Sequence, residues 1–169
     1  MQPPLLPATV LARLLRLARL DGTVVLAIAG AFALASALGG NRLEVLVGVL
    51  IAGAGALELH GAGLLRAGEV RGISWLVASQ LYLLVAVLAY VGLRLVSFDP
   101  ALINLIMTQS LRQRYLDAGL THAQIDQVVQ LSYYLTYAIV GVLTVVYQGG
   151  LAIYYYRRRD AVEQALSED

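Results

Sequence analysis

Long apolar stretches separated by short polar segments dominate the chain. A helix needs about 20 mostly apolar residues to cross about 30 Å of hydrocarbon. Four stretches come close to that length, at residues 22–39, 43–65, 73–96 and 131–156. They contain solid apolar runs and not the strict alternation that a transmembrane β-barrel requires. The pattern predicts an all-α integral membrane protein, with a bundle of four transmembrane helices over residues 22–156.

Residues 1–21 precede the first span and follow a different pattern. Apolar residues recur there at helical spacing, with arginines on another side. The two sets are Leu11, Leu14, Leu15 and Ala18, and Arg13, Arg16 and Arg19. This predicts an N-terminal amphipathic helix on the anionic cytoplasmic leaflet. The alternative is a cytoplasmic extension of the first span. The Arg-rich start and the apolar run after it also resemble a signal peptide, which we interpret as a retained first span.

The segment 97–130 is the only sizeable one between spans. Asp99-Pro100 is typical of a helix start, with an N-cap followed by a first-turn proline, and Gly119 is typical of a helix end. These signals predict a helix over residues 101–118. Its apolar residues need cover from lipid or from another protein. They are Leu102, Ile103, Leu105, Ile106 and Met107.

A second helix is predicted to start at Thr121, because Gln124 follows three residues later and the two form a capping box. No helix breaker occurs before the Gly149-Gly150 pair, so this helix should continue into the fourth span. Residues 97–130 are therefore expected to form an extracytoplasmic helical hairpin between spans three and four.

Composition and charge add an orientation. The chain is 59% hydrophobic and 14% charged, with a mean hydropathy of +0.73. Its net charge of +1 offers no concentrated basic surface for nucleic acid. Cytoplasmic flanks of membrane helices carry the excess of positive charge. With the N-terminus inside, eight arginines are cytoplasmic and four are not: Arg13, Arg16, Arg19, Arg66, Arg71, Arg157, Arg158 and Arg159, against Arg42, Arg94, Arg112 and Arg114.

Both termini are therefore predicted in the cytoplasm, with residues 157–169 as a cytoplasmic tail. All twelve basic side chains are Arg and none is Lys. This usage, beside abundant Ala, Gly and Leu, suggests a GC-rich bacterial source. We therefore expect the bacterial cytoplasmic (inner) membrane.

Small residues repeat every four positions in the first two spans. They are Ala27, Ala31 and Ala35, followed by Gly48, Ala52 and Ala56. Small residues at this spacing let helix backbones approach closely. We interpret both series as the contact between spans one and two, and the alternative is dimerisation.

An inner polar layer is centred on Glu58, the deepest ionisable residue in the spans. Folding spans two and three about Gly68 sets it level with Ser79 and Gln80. Counting back from the end of span four adds Tyr147 and Gln148, with His60 slightly nearer the cytoplasm. An ionisable side chain inside the bilayer is costly and needs a partner. We therefore expect Glu58 to form a hydrogen bond to Gln80, Ser79 or Gln148 and to be partly protonated. The layer is either a structural hydrogen-bond cluster or a site for a proton, ion or ligand.

An outer polar layer places Arg94 opposite Glu44, with Tyr90 and Tyr137 nearby, as an interfacial ion pair. Polar and small residues on the fourth helix link the two layers at helical spacing. They could line a narrow cavity or face the bundle interior. They are Gln130, Tyr134, Tyr137, Gly141, Thr144 and Gln148.

Reactive motifs are missing from the sequence. The chain has no Cys, no metalloprotease helix motif and no nucleophile elbow. Its two histidines, His60 and His122, belong to distant segments and cannot share a metal within one chain. We therefore expect no enzyme activity, no cofactor and no metal.

The sequence favours a non-enzymatic accessory or scaffolding subunit of a membrane assembly, with lipids as partners and either copies of itself or other subunits. The alternative is an oligomeric transporter or channel that uses the layer around Glu58.

Overall fold

A computed structural model describes residues 6–98 and 107–167. All regular elements in these residues are helices. Their bounds are α1 Pro7–Leu38, α2 Arg42–Arg66, α3 Gly72–Val96, α4 Gln109–Asp117, α5 His122–Arg157 and α6 Arg159–Ser167.

Four of these helices, α1, α2, α3 and α5, are long and apolar enough to cross a membrane. The prediction of four apolar spans is confirmed at this level, and the chain has the helices of a multi-pass membrane protein. The predicted spans one and four lie within longer helices. α1 is continuous from Pro7, so residues 7–21 and the first span share one helix.

Local signals explain where the first helices end. Pro7 occupies the first turn of α1, where a missing N–H costs nothing. The chain leaves α1 at Gly40, whose φ of +73° suits glycine. Asn41 then caps α2, because its side chain accepts a hydrogen bond from the Glu44 N–H at 3.3 Å. Gly68, with φ of +80°, ends α2 in the same way. These tight turns make successive helices neighbours.

The described residues divide into two compact units. The first contains the residues up to Val87 and those from Thr144 onward, and the second contains residues 88–143. The core of the first unit gathers buried residues from α1, α2, α3, α5 and α6. They are Leu14, Ala18, Ala62, Leu65, Ile73, Leu76, Leu151, Tyr155 and Val162.

Residues 7–21 take part in this core. Leu14 and Ala18, from the apolar stripe assigned to the membrane surface, are completely buried by protein atoms. Their helix continues without a break into the first span, and the two residues pack against other helices of the same chain. Contact of this segment with a lipid surface stays a prediction.

The C-terminal tail is also structured. α6 was not predicted as a helix, yet Arg159–Ser167 is helical and buries Val162 and Ala165. These two residues are three apart and so lie on one face of the helix. α6 contacts α1.

The small-residue prediction needs correction. Ala27, Ala31 and Ala35 are exposed, as is Ala56, whereas Gly48 is buried and Ala52 half-buried. α1 instead buries Gly22, Ala29, Ala33 and Ser36. Steps of four residues drift around a helix that has 3.6 residues per turn, whereas mixed steps of three and four stay on the packed face. Use of the exposed alanines in dimerisation stays a prediction.

The true contacts between helices involve glycine. A Cβ placed on Gly55 would lie 2.7 Å from the backbone oxygen of Gly22, and one on Gly48 would lie 2.8 Å from the Ala33 Cβ. A third close approach joins α2 to α3, where a Cβ on Gly61 would lie 2.9 Å from the Gly72 oxygen. The backbones pack directly on one another, as small residues allow.

The second unit contains the end of α3, α4 and the first part of α5. Thr108 caps α4 by accepting a hydrogen bond from the Leu111 N–H at 3.4 Å. Gly119, with φ of +89°, follows α4. The proposed cap at Asp99-Pro100, and residues 101–106 of the predicted helix, lie outside the described residues. Of the apolar residues predicted to need cover, Met107 is described, and it is buried.

The capping box at the start of α5 is present in the structure. The Gln124 N–H donates to the Thr121 hydroxyl at 3.3 Å, and the Gln124 side chain accepts from the Thr121 N–H at 2.8 Å. Arg112 on α4 bonds to Asp126 on α5 at 3.1 Å and so ties the two helices together.

Candidate functional site

Two acidic side chains are buried inside the first unit. Asp21 on α1 is 5% exposed and Glu58 on α2 is 1% exposed. Both lie beside the close contact of Gly22 with Gly55: Asp21 directly precedes Gly22, and Glu58 lies three residues, close to one turn, after Gly55. Asp21 is among the groups that act on Glu58 by charge and by hydrogen bonding. We call Asp21 and Glu58 the acid pair.

Neutral donors hold the acid pair. The Tyr155 hydroxyl donates to Oε1 of Glu58 at 2.7 Å. The Tyr147 hydroxyl donates to Oδ1 of Asp21 at 2.9 Å, and Nε2 of Gln80 donates to Oδ2 at 3.2 Å. Tyr147 and Tyr155 belong to α5 and Gln80 to α3, so all four long helices contribute to this site.

No positive charge balances the acid pair within the described part of the chain, where neither carboxyl group forms a salt bridge. Two neighbouring carboxylates in an apolar surrounding repel each other, and each loses its hydration. A proton or a cation is what neutralises such a pair. Ionisable groups at membrane depth are rare for this reason, and they mark functional sites.

Two buried amide oxygens lack hydrogen-bond partners among the described residues. Oε1 of Gln80 and Oε1 of Gln148 are buried without a hydrogen bond among the residues described. The Gln80 amide bonds to Asp21 and also reaches Glu58. A buried acceptor left unpaired costs about 1–3 kcal/mol. Within residues 6–98 and 107–167, no group of three or more His, Cys, Asp or Glu residues is arranged to hold a metal.

Of the residues predicted for the inner layer, Glu58, Gln80 and Tyr147 come together. Ser79 is buried, but its hydroxyl donates to the Leu76 carbonyl of its own helix at 2.8 Å, as serine in a helix often does. Gln148 is buried, and its Oε1 accepts no hydrogen bond among the described residues. Tyr155 takes the place predicted for Ser79 or Gln148 as the partner of Glu58.

His60 does not belong to this layer. It is exposed, and its ring packs edge-on against Trp75 with the ring centroids 5.2 Å apart. A position two residues after Glu58 is rotated by about 200° around the helix. His60 therefore faces the opposite side.

Sequence reasoning missed Asp21 and Tyr155. Asp21 was assigned to the end of the N-terminal amphipathic helix, and Tyr155 was not assigned to the inner layer. One signal was available for Tyr155: Gly141, Gln148 and Tyr155 are spaced by seven residues and all three are buried. That spacing places Tyr155 on the same face as Gln148.

The residues of the outer layer fall in both units. In the second unit, Nε of Arg94 donates to the Tyr90 hydroxyl at 3.0 Å, and the ring centroids of Tyr90 and Tyr137 are 6.1 Å apart. The Tyr133 hydroxyl donates to the Arg94 carbonyl at 3.0 Å. In the first unit, Glu44 accepts a hydrogen bond from Ser36 at 3.4 Å. The ion pair between Glu44 and Arg94 stays a prediction.

The polar and small residues predicted to link the two layers along α5 differ in exposure. Gly141 and Gln148 are buried, Gln130 is exposed, and Tyr134, Tyr137 and Thr144 are half-buried.

Comparison with known protein families, with curated protein sequences and with solved structures finds no match to this chain.

Proposed function

We propose that this protein is a proton-coupled membrane transporter or channel subunit, in which the acid pair binds and releases a proton. The observation that carries the proposal is the burial of two acidic side chains on neighbouring apolar helices, with neutral hydrogen-bond donors around them. The sequence alone favoured an accessory subunit over transport, and the burial of Asp21 as well as Glu58 in one unit reverses that order.

The two carboxyl groups have different roles in this proposal. Both oxygens of Asp21 already accept hydrogen bonds, from Tyr147 and Gln80. The hydrogen bond that Glu58 accepts from Tyr155 is to Oε1. Glu58 therefore carries the exchangeable proton, and as a carboxylic acid it can donate a hydrogen bond to Asp21.

Tyr147 provides the connection to the surface. Its side chain is 51% exposed, while its hydroxyl bonds to the buried Asp21. The Tyr147 hydroxyl thus links Asp21 to the outer face of the fourth long helix.

A hydrophobic carbodiimide tests proton binding directly, because it adds covalently to a protonated carboxyl group in an apolar place. We expect mass spectrometry to find the adduct on Glu58, and to find less of it as the pH rises. Glu58→Gln should lose this adduct, whereas the control Glu44→Gln should keep it. If neither Asp21 nor Glu58 is modified at any pH, the proposal is contradicted.

Transport is tested separately in liposomes that contain a pH-sensitive dye and the purified protein. An imposed pH gradient should dissipate faster with the wild type and with Glu44→Gln than with Glu58→Gln. Equal rates for Glu58→Gln and the wild type would show that the acid pair does not conduct.

An accessory or scaffolding role is the second candidate, and it is favoured by the exposure of α5. Only 6% of the most apolar window of this helix is buried, compared with 39% for α2. Such a surface suits either lipid or another subunit. Native mass spectrometry distinguishes the two roles, because a stable heteromeric partner supports the scaffold and a symmetric homo-oligomer supports transport.

The membrane arrangement is part of the same proposal. We propose one bundle of four helices in the bacterial inner membrane with both termini in the cytoplasm, on the basis of the arginine distribution. α4 and the start of α5 then form the extracytoplasmic hairpin.

A further inference from the structure

Three consecutive arginines follow the fourth long helix, and they differ in their partners. Nε of Arg159 donates to Oε1 of Glu163 at 2.6 Å, which raises the pKa of Arg159. Arg157 and Arg158 form no salt bridge with any acidic residue of the described chain. Their two positive charges are therefore available to an external anion.

Arg157 and Arg158 lie at one end of a groove of about 440 Å³. Gly150, Ile153 and Tyr154 line the rest of it. The spacing of these five residues places them on one face of the helix. A Cβ at Gly150 would meet no atom within 4 Å, so the groove is open at its apolar end.

Tyr154 supports the cationic end of the groove. The Arg158 guanidinium lies 5.7 Å from the centroid of the Tyr154 ring, within the range of a cation–π contact. Arg158 is half-buried, whereas Arg157 is exposed. The contact holds the Arg158 guanidinium against the helix, and Arg157 is the next residue in the chain.

We propose that this groove binds an anionic phospholipid, with the headgroup phosphate at Arg157 and Arg158 and the start of an acyl chain along Gly150 and Ile153. Guanidinium groups bind phosphate oxygens through paired hydrogen bonds. The groove begins on the apolar helix and ends where the arginines follow it, so the order of its lining matches the order of groups in a phospholipid. The positive-inside rule accounts for positive charge near the end of a span. It does not account for a groove with an open apolar end, or for two arginines without a salt bridge to a described acidic residue. The inference does not depend on the acid pair.

The test uses the full chain in detergent, with dioleoylphosphatidylglycerol as the anionic lipid and dioleoylphosphatidylcholine as the zwitterionic one. Native mass spectrometry counts bound lipids, and a titration gives the dissociation constant. We expect the wild type to prefer phosphatidylglycerol. Replacing both Arg157 and Arg158 by Gln should weaken its binding by about tenfold or more, since the charge-assisted hydrogen bonds to the phosphate are lost.

Arg159→Gln is the matched control, because it removes the same charge from the same tract but lies outside the groove. It should bind phosphatidylglycerol as the wild type does. Gly150→Leu keeps every charge and fills the apolar end, and it should weaken binding as well. Unfolding temperatures without lipid check that each variant is folded.

Two results would overturn the proposal. Equal losses in Arg158→Gln and Arg159→Gln would mean that general charge attraction, not the groove, retains the lipid. Equal competition by inorganic phosphate and by phosphatidylglycerol would mean that the arginines bind a free anion and that the apolar end contributes nothing.

Discussion

Tyr155 connects the acid pair to the apolar core. Its side chain is completely buried in the main cluster of the first unit, and its hydroxyl bonds to Glu58. A phenol can do both because one end of the ring is apolar and the other carries a donor. Each hydrogen bond around a buried carboxyl group matters more than one at the surface, because water cannot replace it.

Tyr155→Phe should therefore lower stability by about 1–3 kcal/mol, because it leaves a buried carboxyl oxygen without its donor. Tyr154→Phe is the control, since Tyr154 is half-buried and the structure gives its hydroxyl no hydrogen bond to the acid pair. Thermal unfolding in detergent measures both. Equal unfolding temperatures for the two variants would show that the bond to Glu58 contributes little.

Helix contacts in the first unit depend on positions where a side chain does not fit. Gly55 is the clearest case, because a Cβ there would lie 2.7 Å from two backbone atoms, the oxygen of Gly22 and the nitrogen of Leu26. Backbone atoms cannot move aside as the end of a flexible side chain can.

Gly55→Ala should thus force α1 and α2 apart and cost about 1–3 kcal/mol, as overpacking usually does. Gly53→Ala, two residues earlier on α2, is the control. A Cβ at Gly53 meets nothing within 4 Å. The control should keep or raise the unfolding temperature, since Ala favours a helix by up to about 1 kcal/mol over Gly. If Gly55→Ala is as stable as Gly53→Ala, the close contact is not required.

Because Gly55 lies beside the acid pair, Gly55→Ala should also reduce the carbodiimide adduct on Glu58.

The start of α5 depends on the capping box of Thr121 and Gln124. Thr121→Ala should cost about 1 kcal/mol, because the Gln124 N–H loses its acceptor. Thr121→Ser keeps the hydroxyl and should cost less. Hydrogen exchange of the first-turn amides of α5 measures the effect. The cap would be irrelevant if Ala and Ser gave the same exchange rates.

The distribution of arginine predicts how the whole molecule is oriented in the membrane. The chain has no Cys, so a single introduced cysteine reports on one position. Ser110 on α4 and Ser167 on α6 are both exposed.

In cells, Ser110→Cys should react with a membrane-impermeant thiol reagent added outside, and Ser167→Cys should react only after the membrane is opened. The reverse pattern would invert the proposed orientation.

Four apolar segments long enough to span a membrane could be predicted from the sequence, although the first and the fourth lie within longer helices. Span length is a one-dimensional property, since about 20 apolar residues in a row suffice wherever they pack. Helix ends were also predictable at Gly119 and Thr121, because caps act through neighbouring residues. Glu58 was found for the same reason: a carboxyl group inside an apolar run stands out without knowledge of its partners.

Which faces of the helices meet could not be predicted from the sequence and is seen in the packed structure. It set Asp21 beside Glu58, gave Tyr155 as the donor, and moved the packing face of α1 from Ala27, Ala31 and Ala35 to its neighbours. Successive residues on a helix differ by 100°, so a shift of one position changes the face entirely. The choice among faces depends on how two backbones fit together, and in this chain it depends on the approach of Gly22 to Gly55. That fit joins residues that are far apart in sequence, and a pattern along one segment does not contain it.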